Sequence, residues 1–165
     1  MQDRHMALQG EFLGIKPYKI MTITWLTQNV DFPAELVKAD VEPWLEAVAA
    51  DHGKIAGTLT YIFTDDPGIL EVNRQFLQHD YFTDIITFDY SKRSMVSGDI
   101  YISLDTVRSN AGQFSADYVT ELHRVVAHGL LHLCGINDKG PGEREVMEAH
   151  ENAALDRLKQ LQGRR

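Results

Sequence analysis

The chain has 165 residues, 44% hydrophobic and 24% charged, with a formal net charge of -8, proportions that suit one globular domain with a single core. No run of about 18 apolar residues and no basic start followed by an apolar signal core is read in the sequence, which makes a soluble, cytoplasmic protein the expectation. The acidic balance argues against a surface that attracts nucleic acid everywhere, and a lone cysteine, Cys134, excludes an intrachain disulfide.

Residues 1–18 carry no sustained period and read as an N-terminal extension or expression remnant, leaving 19–165 as a single domain. Lys19 to Gln28 is β-branched and aromatic enough for a strand. A helix is expected from near Val41 to Gly53, with Pro43 in its first turn. Alternation predicts a strand over Thr58 to Thr64, and DPGILEVNRQFL fits a helix through Leu77. Strands follow from Asp84 and from Gly98. LDTVRSNAGQF offers a helix, Ser115 is placed to cap a long helix reaching Cys134, and PGEREVMEAHENAALDRLKQLQ reads as a terminal helix. The order β α β α β β α α α implies an α+β or α/β layer: a small mixed β-sheet packed with several α-helices, the histidine-bearing helix central.

At about 100° per residue, Val119, Leu122, Val126, Leu130 and Leu133 fall on one side of that long helix, as a core stripe. His128 and His132 fall nearly opposite, flanked by Val125 and Leu131, so the helix is expected to be packed on both sides with the imidazoles on a cleft floor. Residues four apart on a helix have neighbouring side chains, so the two rings can converge on one cation. Gly135 supplies a left-handed stop. The returning chain then offers Asp138 as a third ligand, and three ligands with an open fourth position form the pattern of a catalytic zinc site. The spacing HxxxHxxGxxD parallels the HExxHxxGxxH of metalloproteases. Gly129 stands where those enzymes carry their glutamate base, which disfavours a peptidase. Two histidines satisfied by hydrogen bonds in a core are the plain alternative.

The longer pattern LEVNRQFLQHDYFTDIITFDY, GDIYIS, ELHRVVAHGLLHLCGIND and the later Met147 resembles the YbeY family of metal-dependent endoribonucleases, over about residues 55–155. The resemblance implies a small sheet packed with helices, one Zn2+ ion and single-strand-specific cleavage in small-subunit ribosomal RNA 3'-end maturation and ribosome quality control. It implies ribosomal RNA and the ribosome or assembly factors as partners, and no membrane. Three departures stand out. Asp138 matches the family's third histidine; a carboxylate also ligates zinc, but its negative charge should make bound water less acidic than three neutral ligands would. Leu77 aligns with an arginine that the family is thought to use near substrate, and Arg74, one turn earlier, can reach similar space. Phe82 replaces a proline before Thr83 and Asp84.

The metal ligands are therefore expected to be His128, His132 and Asp138, with His128, His132 and Glu121 as the catalytic set. Glu121 lies two turns before His128 and within about 20° of its direction, able to orient an imidazole or take a proton from water. Arg74, Thr83, Asp84, Asp99 and Arg124 are candidate substrate contacts, although acids at strand starts often cap turns and Arg124 has Glu121 at i,i+3. His123 and His150 sit off the ligand direction or far along the chain, and His5, His52 and His79 lack partner spacing; all read as structural or surface residues. Cys134 reads as a core thiol and Met147 as apolar support beneath the site. A non-catalytic, metal-stabilised ribosome-assembly module is the competing reading, but a structural site closes four positions with protein ligands, and no convincing fourth is present.

Overall fold

Alternation in Ile55–Thr64 and Met95–Ser103 puts Leu59, Tyr61, Phe63, Ile100 and Ile102 on one face of a sheet, all fully buried. The computed structural model describes residues 21–77 and 83–163. The expectations for residues 1–18, Lys19, Ile20, His79 and Phe82 fall outside these. The chain runs β1 (Thr22–Thr27), α1 (Lys38–Asp51), β2 (Ile55–Thr64), α2 (Asp66–Leu77), β3 (Ile85–Asp89), β4 (Met95–Ser103), α3 (Leu104–Gln113), α4 (Tyr118–Leu133), α5 (Glu143–Gly163), the order expected. The sheet order is β1-β2-β4-β3, with β1, β2 and β4 parallel and β3 antiparallel at an edge.

Helices cover both faces. Ile69 and Val72 of α2 pack with Ile86, Phe88 and Tyr101 on one side. On the other, α1, α4 and α5 enclose the larger core. Trp25 of β1 stacks on Tyr61 with ring centroids 4.9 Å apart, and the Tyr61 hydroxyl donates to the Val126 carbonyl of α4 at 2.9 Å. That bond fastens the middle of α4 to the sheet.

Local expectations shift in places. Helix α1 begins at Lys38 rather than near Val41, which leaves Pro43 inside the helix instead of in its first turn. An interior proline costs about 3 kcal/mol, yet Val41, Trp44, Leu45, Val48 and Ala49 are all buried, and Trp44 Nε1 donates to the Ala154 carbonyl at 2.7 Å. Tertiary packing outweighs the lost bond. Ser115 does not cap α4: its φ is 53° and it terminates α3, with Ser115 N donating to Gly112 O and Ala116 N to Ala111 O. Asp117 is the cap, its carboxylate accepting from Thr120 N at 3.0 Å. Val119 is 36% exposed rather than in the core stripe, because the buried run begins one turn on at Leu122. Cys134 is half-buried at the end of α4, and burial pushes its thiol up to about 11. His52 and His150 meet across α1 and α5, ring centroids 4.9 Å apart, a pairing that linear spacing does not reveal. His123 lies edge-on to Trp44, its Nδ1 2.8 Å from the Val119 carbonyl. Among the described residues no helix is long and apolar enough to cross a membrane.

Helix α4 lies close against the sheet at Gly129. A Cβ there would meet Ile100 Cγ2 at 2.8 Å and Ile85 Cδ1 at 3.1 Å, with Ile100 fully buried. Alanine would gain up to about 1 kcal/mol in helix propensity, but overpacking of this kind costs about 1–3 kcal/mol. Gly129→Ala is expected to lower stability by about 1 kcal/mol net in urea unfolding. An unchanged or raised midpoint would show that helix and sheet have room to spare.

Candidate metal centre

Helix α4 ends in a two-bond glycine stop. Gly135, at φ 98°, donates to His132 O at 2.9 Å, and Ile136 donates to Leu131 O at 3.1 Å while packing its side chain on the core. Only glycine takes that conformation without steric penalty. The turn sends the chain back toward the helix flank that carries His128 and His132, and Asp138 arrives beside both. Its Oδ2 is 3.4 Å from His128 Nε2 and 3.4 Å from His132 Nε2. One potential donor atom from each of the three residues lies within 4.8 Å of the others.

Two observations test this set for a cation. Zinc bonds to nitrogen and oxygen of about 2.0–2.1 Å in a tetrahedron put neighbouring donors about 3.3–3.4 Å apart, the separation that Asp138 keeps from each imidazole. Asp138 Oδ1, by contrast, is buried with no hydrogen-bond partner among the described residues. Such an oxygen is costly unless something positive reaches it. Two imidazoles and a carboxylate are donors suited to zinc, and the residues fit the ion.

The surrounding charges are crowded. His128 Nδ1 lies 2.6 Å from Glu151 Oε2, on α5. Arg124 donates from Nη1 to Glu151 Oε1 at 3.1 Å and holds Nε 3.7 Å from Glu121 Oε1. Burial raises the Asp84 carboxyl above its usual range, with the charges of Glu151 and Asp138 adding to it against that of His128. Burial also raises Glu121, with Arg124 and His128 opposing and Asp84 and Glu151 assisting. For His128 burial works against the cation, but the hydrogen bond and charge of Glu151, with Asp84 and Asp138, outweigh it and the net direction is up. His132 is lowered, by burial and then by the neighbouring His128. A cleft of about 260 Å3, lined by His132, Asn137, Asp138, Lys139 and Glu143, opens beside the ligand atoms.

The remaining candidates divide. Asp84 and Glu121 belong to the electrostatic cluster. Thr83 precedes Asp84, its hydroxyl 3.4 Å from the Ile85 carbonyl. Arg124 is engaged by two carboxylates. Arg74 is exposed on α2, which packs on the sheet face away from α4. Asp99 alternates with the inward-facing Ile100 and so points to that far face, where its Oδ2 accepts from the Tyr90 hydroxyl at 3.3 Å. Neither Arg74 nor Asp99 is brought to the histidines. Met147 is buried in the core. Glu151 is a site residue that motif reading missed. Its signal lay in α5, where Met147, Glu151, Ala154 and Leu158 make one buried stripe, with a carboxylate in an apolar row.

Comparison with known proteins agrees with this geometry. The family model for Endoribonuclease YbeY matches residues 22–159. The chain is 59% identical over 135 residues to Endoribonuclease YbeY of Bacteroides thetaiotaomicron, covering 82% of this chain and 98% of that one. It is 61% identical over 133 residues to that of Phocaeicola vulgatus, covering 81% and 96%, and 45% identical over 141 residues to that of Porphyromonas gingivalis, covering 86% and 93%. The solution structure of a protein from Thermotoga maritima superposes with a TM-score of 0.59 at 26% identity, over 83% of this chain and 89% of the other. The chain carrying this His-His-Asp centre therefore belongs to the YbeY family of endoribonucleases, RNA-cleaving hydrolases.

Proposed function

We propose that residues 19–165 form a single zinc-dependent endoribonuclease domain that cuts single-stranded ribosomal RNA precursors in small-subunit 3'-end maturation and ribosome quality control, in the cytoplasm and in contact with the ribosome or its assembly factors. The observation that carries the reading is the convergence of His128, His132 and Asp138 beside an open cleft, in a chain whose relatives are named for RNA cleavage. The open side favours chemistry over a purely structural ion, which would be closed by four protein ligands.

His128, His132 and Asp138 would hold the metal. When bound, such an ion supplies Lewis acidity toward a phosphoryl oxygen or an attacking water. Glu121, whose carboxyl burial holds above its usual range, is suited to accept a proton from that water and return it to the leaving oxygen. Asp84 and Thr83, at the entrance to β3, flank the same cluster and position the sugar-phosphate chain. Gly129 disfavours the peptidase alternative, because it supplies no carboxylate base and a Cβ there would already meet Ile100 at 2.8 Å.

His132→Ala is expected to lose stoichiometric zinc and to cut a small-subunit precursor fragment more than roughly 100-fold slower, beyond the usual cost of an outer-shell change. Chelation of the wild type should do the same and added zinc should restore it. Undiminished cleavage by the zinc-stripped protein would end the metal mechanism. Glu121→Gln should keep its zinc and lose roughly 100-fold or more in turnover; an unaltered rate would remove Glu121 from proton transfer.

Acidity supplies a further check. In the metal-free protein His128 holds its proton above the ordinary imidazole value of 6.5. The folded state binds that proton more tightly than the unfolded chain does, so its stabilisation is complete below about pH 6.5 and is lost as pH rises through the folded value. Zinc must expel the same proton, so its affinity should fall about tenfold per pH unit below the folded value. Zinc competition titrations from pH 6 to 8 read this directly, and a flat profile would contradict it.

A further inference from the structure

The geometry points to Glu151 as the positioning residue of this centre and Arg124 as the clamp that holds it, so that α5, outside the histidine motif, selects the metal-facing tautomer of His128. This inference rests on the metal reading above and adds a residue and an element to it.

A neutral imidazole has one N–H and one lone pair, and which nitrogen carries which is set by the partner of the other. An ionised carboxylate only accepts. Glu151 Oε2 at 2.6 Å therefore places the proton on Nδ1 of His128 and the lone pair on Nε2, the atom beside Asp138. Glu151 is itself 9% exposed, so its orientation is fixed by packing as well as by charge. Met147, Ala154 and Leu158 bury the same stripe of α5, and the Trp44 indole bonds to the Ala154 carbonyl.

A buried carboxylate with an idle oxygen would be expensive. Arg124 fills that need, donating to Oε1 at 3.1 Å, and its Nε is steadied by Glu121 at 3.7 Å. The guanidinium thus lies between two acids rather than in the open cleft. Drawing it onto an RNA phosphate would leave Glu151 half-paired, which makes Arg124 a structural support for His128 rather than a substrate contact. The chain of contacts runs from Glu121 through Arg124 and Glu151 to His128 Nδ1, and so leaves the opposite nitrogen, Nε2, free to face the ion.

The test uses the full chain and two readouts, zinc affinity by chelator competition and the imidazole 15N spectrum of the zinc-free protein at a pH where His128 is neutral. Wild type should show the Nδ1–H tautomer for His128. Glu151→Ala should move His128 toward the mixed tautomers of a free imidazole and weaken zinc binding roughly 10- to 100-fold, the range for outer-shell partners of metal-ligating histidines. Glu151→Gln keeps an acceptor oxygen without the charge and should fall between the two on both measures. Arg124→Gln should keep the tautomer and weaken zinc by a smaller factor. If Glu151→Ala and Glu151→Gln remain helical by circular dichroism and keep both the tautomer and the zinc affinity within about twofold of wild type, well short of the outer-shell range, the assignment is overturned. It is also overturned if Glu151→Ala loses zinc only through unfolding while the folded Glu151→Gln matches wild type. A wild-type chain that binds no zinc would sink the metal reading instead, and the tautomer comparison would still decide the role of Glu151.

Discussion

At residue 129 helix α4 lies so close to the sheet that only a hydrogen atom fits between its backbone and Ile100. The rest of the centre depends on that approach. Val126, Leu130 and Leu133 are buried along that face, α5 packs along another flank of α4, and Val125 and Leu131 are buried as well. A helix covered on both sides has one narrow strip left, and His128 and His132 occupy it, one turn apart, 17% and 26% exposed. Rigid packing thereby sets the spacing of two ligands, and the glycine stop at Gly135 sets the third. None of the three depends on a long flexible loop for its direction, which is the condition for donors to be held near their working geometry before any ion arrives.

The same packing creates an electrostatic imbalance. Four carboxylates, Asp84, Glu121, Asp138 and Glu151, influence one another around His128, and Arg124 is the guanidinium set among them. Burial raises two of those acids, and Oδ1 of Asp138 has no donor among the described residues. Proteins do not retain such a cluster cheaply: like charges in a partly desolvated space repel, and each shields the other poorly. A divalent cation at the three donors offsets that repulsion directly. The feature that makes the metal-free centre uncomfortable is thus the one that favours the ion.

Much of this was readable from residue order. The period of α4 separates the histidines from Leu122, Val126, Leu130 and Leu133, and the single glycine after Cys134 marks the turn that returns Asp138. Those are local relations, governed by helical geometry and by the conformational freedom of glycine. What escaped depends on contacts between distant segments. Glu151 reaches His128 from 23 residues away, and nothing in helical spacing links the two, although an acid within the buried stripe of α5 was a visible anomaly. Pro43 argued for a late start to α1 that the burial of Trp44 overrode. Ser115 fits a helix start by residue type, yet it serves as the left-handed end of the helix before, because the two helices meet within a few residues and one signal can serve either. Asp99 matched a pattern, but strand alternation opposite Ile100 sends it to the far face of the sheet.

An acidic chain that acts on a polyanion needs a local solution to a global mismatch. At physiological ionic strength charges on the surface are screened over about 8 Å, so a phosphate in the cleft responds to the few groups that line it and little to the net charge of -8. Lys139 lines that cleft with His132, Asn137, Asp138 and Glu143, and on the proposed reading a divalent ion at two neutral imidazoles and one carboxylate would add positive charge beside it. Arg124 offsets part of the negative charge of Glu121 and Glu151 just behind. On the proposed reading the attraction for RNA would centre on the ion, while a chain of net charge -8 lacks the basic balance that invites unselective binding. A net charge of -8 and cleavage of RNA are compatible on that reading, because the ion would supply positive charge where the chemistry occurs.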